Sequence, residues 1–227
     1  TAVVAGEPES VVWMLPMGSD AEEVAAEAIE PDLSEALRST LFLPSHLNRH
    51  PYDAARSSVA IRYPHLEAHA VTSAPTHVAS RRDGIARFAD LAYDARGGSG
   101  AMLETILAAR RGIDPTRAPT DGDGRFLIGY AGPPGTFPRI PIAHLLDGEL
   151  DPSLLQGKIV IVAPAATQIE RQVMTPASAR ESMPVAEVFA NVVNTHLDAR
   201  YLWQPSRAAL VIAAALYGVL AGSLFLR

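Results

Sequence analysis

The stretch Ala208–Leu226, AALVIAAALYGVLAGSLFL, carries no charge over about 19 residues, close to the roughly 20 that cross the hydrocarbon core of a bilayer as one helix. That run constrains everything before it, because a chain carrying a membrane span must fold its other residues as a unit tethered to a lipid surface. The flanks agree. Tyr201 and Trp203 sit where an interfacial aromatic belt belongs, Pro205 and Ser206 suit a helix start, and Arg207 and Arg227 bracket the run. The alternative reading, a buried core helix, fits less well, since such helices are mostly shorter or polar at a flank. Gly218 and Gly222 form a small-xxx-small pair that lets two spans approach closely, so they are the expected helix-helix packing positions of a homodimer.

The remainder is a folded domain by composition. Of 227 residues, 48% are hydrophobic and 19% charged, too apolar for disorder. The formal charge is −6 and the basic residues are scattered, which argues against a phosphate-backbone footprint and so against nucleic acid as a partner. With no cysteine, disulfides, thiolate zinc sites and a cysteine nucleophile are excluded. Residues 1–206 show no repeat or low-complexity tract and read as one unit, with 207–227 as the transmembrane helix. The chain starts at Thr1 without a basic and then apolar leader, so the expectation is a piece of a longer protein.

Within that unit strands and helices alternate. SVVWML at Ser10–Leu15 reads as a buried strand, Ser19 and Asp20 open an Ala/Glu-rich helix to Pro31, a further turn covers Leu33–Leu37, and Leu41–Leu43 suits a strand. Residues 48–70 show no clean period. Thr76–Ser80 and Ile85–Tyr93 flank an Asp83-Gly84 turn and predict a β-hairpin. Gly97, Gly98 and Gly100 break the chain, Ser99 is expected to cap, and Ala101–Arg111 is an amphipathic helix closed by Gly112. FLIGYAG at 126–132 predicts a strand ending in GPPG, IVIVA at 159–163 a central strand covered on both faces, and 186–198 a helix. The fold class is therefore α/β, a mixed sheet with flanking helices and a β-hairpin, followed by one transmembrane α-helix.

The boxes FLIGYAGPPGTFPRIPIAHLLDGEL, LLQGKIVIVAPAA, the Thr175-Pro176 pair and MPVAEVFANVVNTHL, followed by a short hop into the apolar run, resemble the type-2 CHASE domain, a family of extracytoplasmic sensory domains of bacterial transmembrane receptors. Tyr130, Gly132, Pro133, Pro134, Gly135, Thr136 and Phe137 match the first box, Gly157, Lys158, Ile159 and Val160 the strand, and Glu187, Ala190, Asn191, Thr195 and Leu197 the helix. Asp83-Gly84 with Arg87 is similar to the family's hairpin, which extends the likeness over 70–227, whereas residues 1–70 resemble it in outline. The chain departs from the pattern at Ala163, where the strand ends in glycine, at Val185 and Phe189, where the helix has glycine and histidine, and at Arg171 beside Glu170, where an acidic residue precedes the Thr-Pro. If the family binds through those positions, this chain takes a different ligand or none.

Several groups raise chemistry by themselves. His46 with His50 and His65 with His69 have a spacing of four that would place two imidazoles on one helix face, but Pro44, Pro51 and Pro64 oppose a continuous helix there, so no metal site is assigned. Asp121-Gly-Asp123-Gly starts like a calcium loop without its later ligands and reads as a turn. The glycines at 97–100 form neither a phosphate loop nor a nucleophile elbow. Arg87 and Arg139 are the candidates for an anionic ligand because a guanidinium grips carboxylate or phosphate bidentately. Asn191 and Asn194, three apart, are expected to hydrogen-bond the loop at Thr175-Pro176. Arg87, Arg139, Thr175 and Asn191 are thus the candidate ligand-binding residues; no catalytic residue and no cofactor is assigned.

The resemblance implies a domain on the outer side of the cell membrane, periplasmic or extracellular, that senses a small-molecule or protein ligand; the glycine pair adds the expectation of a homodimer. Through its transmembrane helix it would regulate a cytoplasmic output such as a nucleotide cyclase or a kinase, and it would carry out no reaction itself. The competing expectations are a structural assembly subunit of a membrane complex and a membrane-anchored metal-dependent hydrolase.

Overall fold

A computed structural model of the chain describes residues 10–13, 41–48, 58–60, 72–76, 78–80, 83–95, 98–163, 171–203, 205 and 207–225. The helix expected from Ser19 to Pro31, the turn at Leu33–Leu37, and His50, His65 and His69 fall outside these residues.

The principal sheet joins distant parts of the chain. β1 (Ser10–Trp13) lies parallel to β10 (Ile159–Val162), with Ser10 opposite Ile159, and parallel on its other side to β2 (Leu41–Asn48). β2 also pairs parallel with β4 (Thr72–Thr76) and antiparallel with β3 (Ser58–Ala60) at its far end. His46 is opposite Ala60 in this pairing, so it belongs to a strand rather than to a histidine-bearing helix. Three parallel pairings and one antiparallel pairing make the sheet mixed, as the alternation of elements implies. IVIVA does not read as the doubly covered central strand: among the described residues β10 ends the strand order β10-β1-β2-β3, and its residues are only partly buried.

The expected hairpin forms. β5 (Val78–Ser80) and β6 (Ala86–Asp90) run antiparallel across the Asp83-Gly84 turn, and β9 (Arg125–Leu127) adds to β6 with Phe88 opposite Leu127. The segment after Asp90 bends away as β7 (Ala92–Ala95), which pairs with β8 (Gly98–Ala101). Ser99 therefore lies exposed in a strand and caps nothing, and Gly98 and Gly100 extend rather than break the chain, Gly97 lying outside the described residues. Helix α1 (Leu103–Arg110) starts after Met102, with no side-chain cap, and Gly112 closes it as expected. The 121–124 segment is a turn: the Asp121 carboxylate accepts the Asp123 and Arg125 N–H groups.

α2 (Ile142–Leu146) is one short turn without a buried residue. β11 (Gln172–Val173) and β12 (Met183–Pro184) pair antiparallel and lead into α3 (Val185–Leu197). α4 (Arg207–Phe225) is the C-terminal helix of 19 residues. Among the described residues no helix is long and apolar enough to cross a membrane; the side chains described for α4 run over 209–222.

Two apolar cores meet on α3. Phe189 and Val193 join Leu103 and Leu107 of α1, Val12 of β1 and Ala74 of β4, with Ile159 and Ile161 of β10 packed alongside. Val188 and Val192 face instead Ala89, Phe126, Ile128 and Met183 in the hairpin sheet and its neighbours. Each of these large side chains contributes about 1.5–3 kcal/mol when fully buried, so α3 is the pillar between the two halves.

Candidate functional site

A helix that buries two apolar rows has a third face left over, and α3 gives it to polar residues. Glu187, Asn191 and Thr195 recur every four positions and so stack in one line along the axis. They are 5%, 0% and 0% exposed. A buried polar atom without a partner is costly, by roughly 1–3 kcal/mol, so this row must be matched by donors and acceptors nearby.

The 127–139 segment supplies them. The Gly129 N–H donates to Thr195 Oγ1 at 2.9 Å, and the Ala131 N–H donates to Asn191 Oδ1 at 2.8 Å. Further on, the Gly135 and Thr136 N–H groups both donate to the Glu187 carboxylate, at 2.8 and 3.0 Å to Oε1, while Arg139 Nη2 reaches its Oε2 at 2.5 Å. Asn191 Nδ2 and Thr195 Oγ1 donate back to the carbonyls of Glu187 and Asn191 one turn earlier. The polar row therefore binds the GYAGPPGT box by its backbone, as a neighbouring strand would, and the expected strand is correspondingly short: β9 ends at Leu127.

Two glycines make this contact possible. A Cβ on Gly129 would stand 2.7 Å from the Arg200 carbonyl oxygen, closer than side-chain carbons come to backbone. Gly135 has φ +88°, a left-handed conformation that turns its N–H and that of Thr136 toward one carboxylate. The turn is thus an anion cradle, and its occupant is the chain's own Glu187.

The four candidate ligand residues border this contact in different ways. Asn191 bonds Ala131, not the Thr175 loop, and Asn194 bonds Asp198 on the exposed side. Thr175 is buried and holds Ser178, through its N–H at 3.2 Å and its hydroxyl at 2.9 Å. Arg139 closes the Glu187 cradle from outside, with more than half of its side chain in solvent. Arg87 pairs with Asp83 at 2.6 Å; that carboxyl is held below the usual range first by the Ile85 N–H and then by Arg87. Their surroundings converge on Tyr130: its hydroxyl donates to the Ala86 carbonyl, the Ala86 N–H donates to the Met174 carbonyl, and the Ile128 N–H donates to the Arg87 carbonyl. Burial holds the Tyr130 phenol well above its ordinary pKa, which keeps it a hydrogen-bond donor.

Sequence reasoning does not single out Glu187 or Thr195 as a working pair, although their spacing of four with Asn191 is visible in the chain. It also passes over two buried ionisable groups. Glu104, in the first turn of α1, is 1% exposed; burial first, and the charge of Asp90 second, push its carboxyl up to about 8, and its Oε2 has no hydrogen-bond partner among the described residues. His196, near the end of α3, is 0% exposed and pushed down to about 4 by burial. Among the described residues no group of three His, Asp or Glu side chains is placed to hold a metal ion.

Compared with known proteins, the chain matches the family model of the CHASE2 domain over residues 2–224, nearly its full length and into α4. No curated protein and no solved structure matches it.

Proposed function

The chain belongs to the CHASE2 domain family of extracytoplasmic sensory, non-catalytic domains, and from that premise we propose that it senses a small molecule or a protein outside the cell and passes the signal through α4 to a cytoplasmic cyclase or kinase. The observation that carries this reading is the position of α3. It is gripped along three faces, and its C-terminal end leads through Tyr201–Trp203 to α4 within a few residues. A displacement of the 127–139 box or of the Thr175 loop would therefore reach α4 through one rigid element, the arrangement a two-state switch requires.

In this reading α4 is the membrane span. Its 19 residues extend roughly 28 Å as a helix, close to the roughly 30 Å of a hydrocarbon core. Exposed Trp203 precedes it in the chain, with Tyr201 two residues earlier, as an interfacial aromatic belt would require. Arg87, Arg139, Thr175 and Asn191 are the residues that would meet a ligand, the two guanidiniums favouring an anionic one, and α4 would pair with a second copy through Gly218 and Gly222.

Linkage gives the test. A ligand that binds the native chain raises its melting temperature with concentration, so a panel of carboxylates and phosphates should include compounds that stabilise the chain, and Arg139→Ala should abolish that shift. A panel with no effect on melting, together with unchanged output from a cyclase fused after α4, would overturn the sensing role.

A further inference from the structure

The end of α3 carries a second arrangement that the polar row does not explain. His196 packs against Phe126 with ring centroids 4.7 Å apart, and Tyr201 stands edge-on to both, at 5.7 Å from His196 and 6.4 Å from Phe126. His196 Nδ1 and the Tyr201 hydroxyl share a hydrogen bond of 2.9 Å, while His196 Nε2 is buried with no partner among the described residues. The three rings straddle the point where the chain leaves the helix. Ala199 reverses it with φ +49°, the Arg200 N–H is tied to the Thr195 carbonyl, and Leu202 bridges back to Leu127 before α4 begins.

We propose that this ring cluster is a proton-operated switch: uptake of a proton by His196 expels the imidazole from between Phe126 and Tyr201 and frees residues 198–203, the first part of the connection from α3 to α4. The ligand is the hydronium ion of an acidic surrounding. The inference rests on the sensory reading above and gives it one specific input.

Charge balance favours expulsion. A protonated imidazole has two N–H donors and a full charge, and here Nε2 would hold its proton in an apolar pocket with no acceptor, which is strongly unfavourable. The charged groups on surrounding elements offer little relief. Asp114 and Arg117, on the turn between α1 and β9, act on Tyr201 with opposite signs. Arg125, next to Phe126, is engaged with Asp121 and Asp123. Asp198 pairs with Arg200 beyond the helix end, and Glu104 on α1 is held neutral by its own burial. None of them is among the causes that set the His196 titration, which burial alone lowers.

The direction follows. A histidine at about 4 when packed and near 6.5 when free favours the packed state above pH 6.5 and loses that preference as pH falls toward 4. Between pH 7 and pH 5 the freed state should gain about 20-fold.

Hydrogen exchange of the full chain in lipid nanodiscs, at pH 7 and pH 5 and corrected for the intrinsic pH dependence of exchange, tests this. Protection of residues 198–203 should fall about 20-fold in the wild type and stay constant in His196→Leu and in His196→Gln, the latter keeping a hydrogen-bonding group toward Tyr201. Unchanged wild-type protection overturns the proposal by itself, and so does an equal loss in either variant. Because the readout is the 198–203 segment, a chain that opens in acid yet fails to drive a fused output would refute the sensory reading while leaving the switch in place.

Discussion

Glu104 and His196 give the domain a stability that depends on pH from both sides. Glu104 holds its proton in the fold up to about pH 8 and releases it near 4.5 when free. The native state therefore binds the extra proton, and stability falls by about 1.4 kcal/mol per unit as pH rises from 4.5 to about 8. His196 acts in the opposite sense, costing stability as pH falls from 6.5 to about 4. Glu104→Gln, neutral at every pH, should raise the urea midpoint most at pH 8 and hardly at pH 4.5; a gain that is equal at both values would refute the buried-acid account. Ala199, at φ +49°, lies where glycine is at ease, so Ala199→Gly should stabilise the chain by about 0.5–1 kcal/mol in the same assay. Neither ionisable group is legible in the sequence. An acid in the first turn of a helix reads as a solvated residue facing the helix dipole, and only tertiary packing, which also brings Glu104 within range of the Asp90 charge, removes it from water.

At the scale of the element, α3 is legible as a helix and its register is visible, while its partner is not. Glu187, Asn191 and Thr195 declare a polar line, but a line of polar residues on a helix ordinarily faces solvent. What it grips depends on where the 127–139 segment comes to lie, and the expected partner, the Thr175 loop, is instead satisfied by Ser178. Ser99 is displaced by a local competitor instead: its surroundings suit a cap, but its strand pairs with β7 in a tight hairpin. Asn191→Ala would leave the Ala131 N–H without its acceptor and should cost about 2–3 kcal/mol by chemical denaturation. Arg139→Ala removes a half-exposed ion-pair partner and should cost at most about 1 kcal/mol, since two N–H donors remain on Glu187. If the two substitutions cost the same, the polar row is not the grip described here.

For the molecule as a whole, the alternation of strands and helices made the α/β class readable. The strand order was not readable, because β10 joins β1 across most of the chain and no local pattern encodes that pairing. The apolar run at the C-terminus was the plainest feature of all, and the helix it predicts forms over Arg207–Phe225. Its role in assembly can be separated from the fold of the domain. A Cβ built at Gly218 or Gly222 meets nothing within 4 Å, so larger residues there burden no contact inside the chain and replace weak helix formers with better ones. Gly218→Ile with Gly222→Ile should therefore leave the melting of the domain unchanged. If α4 pairs with a second copy through these glycines, the bulky side chains hold the two helices apart, and dimerisation in bilayers, followed by energy transfer between labelled copies, should weaken about 10-fold, or roughly 1.4 kcal/mol. The absence of cysteine makes the labelling clean, because a single cysteine placed at exposed Arg180 is the only thiol. Unchanged energy transfer would mean that the copies meet elsewhere or not at all, and a signal passed through α4 would then have to travel within one chain.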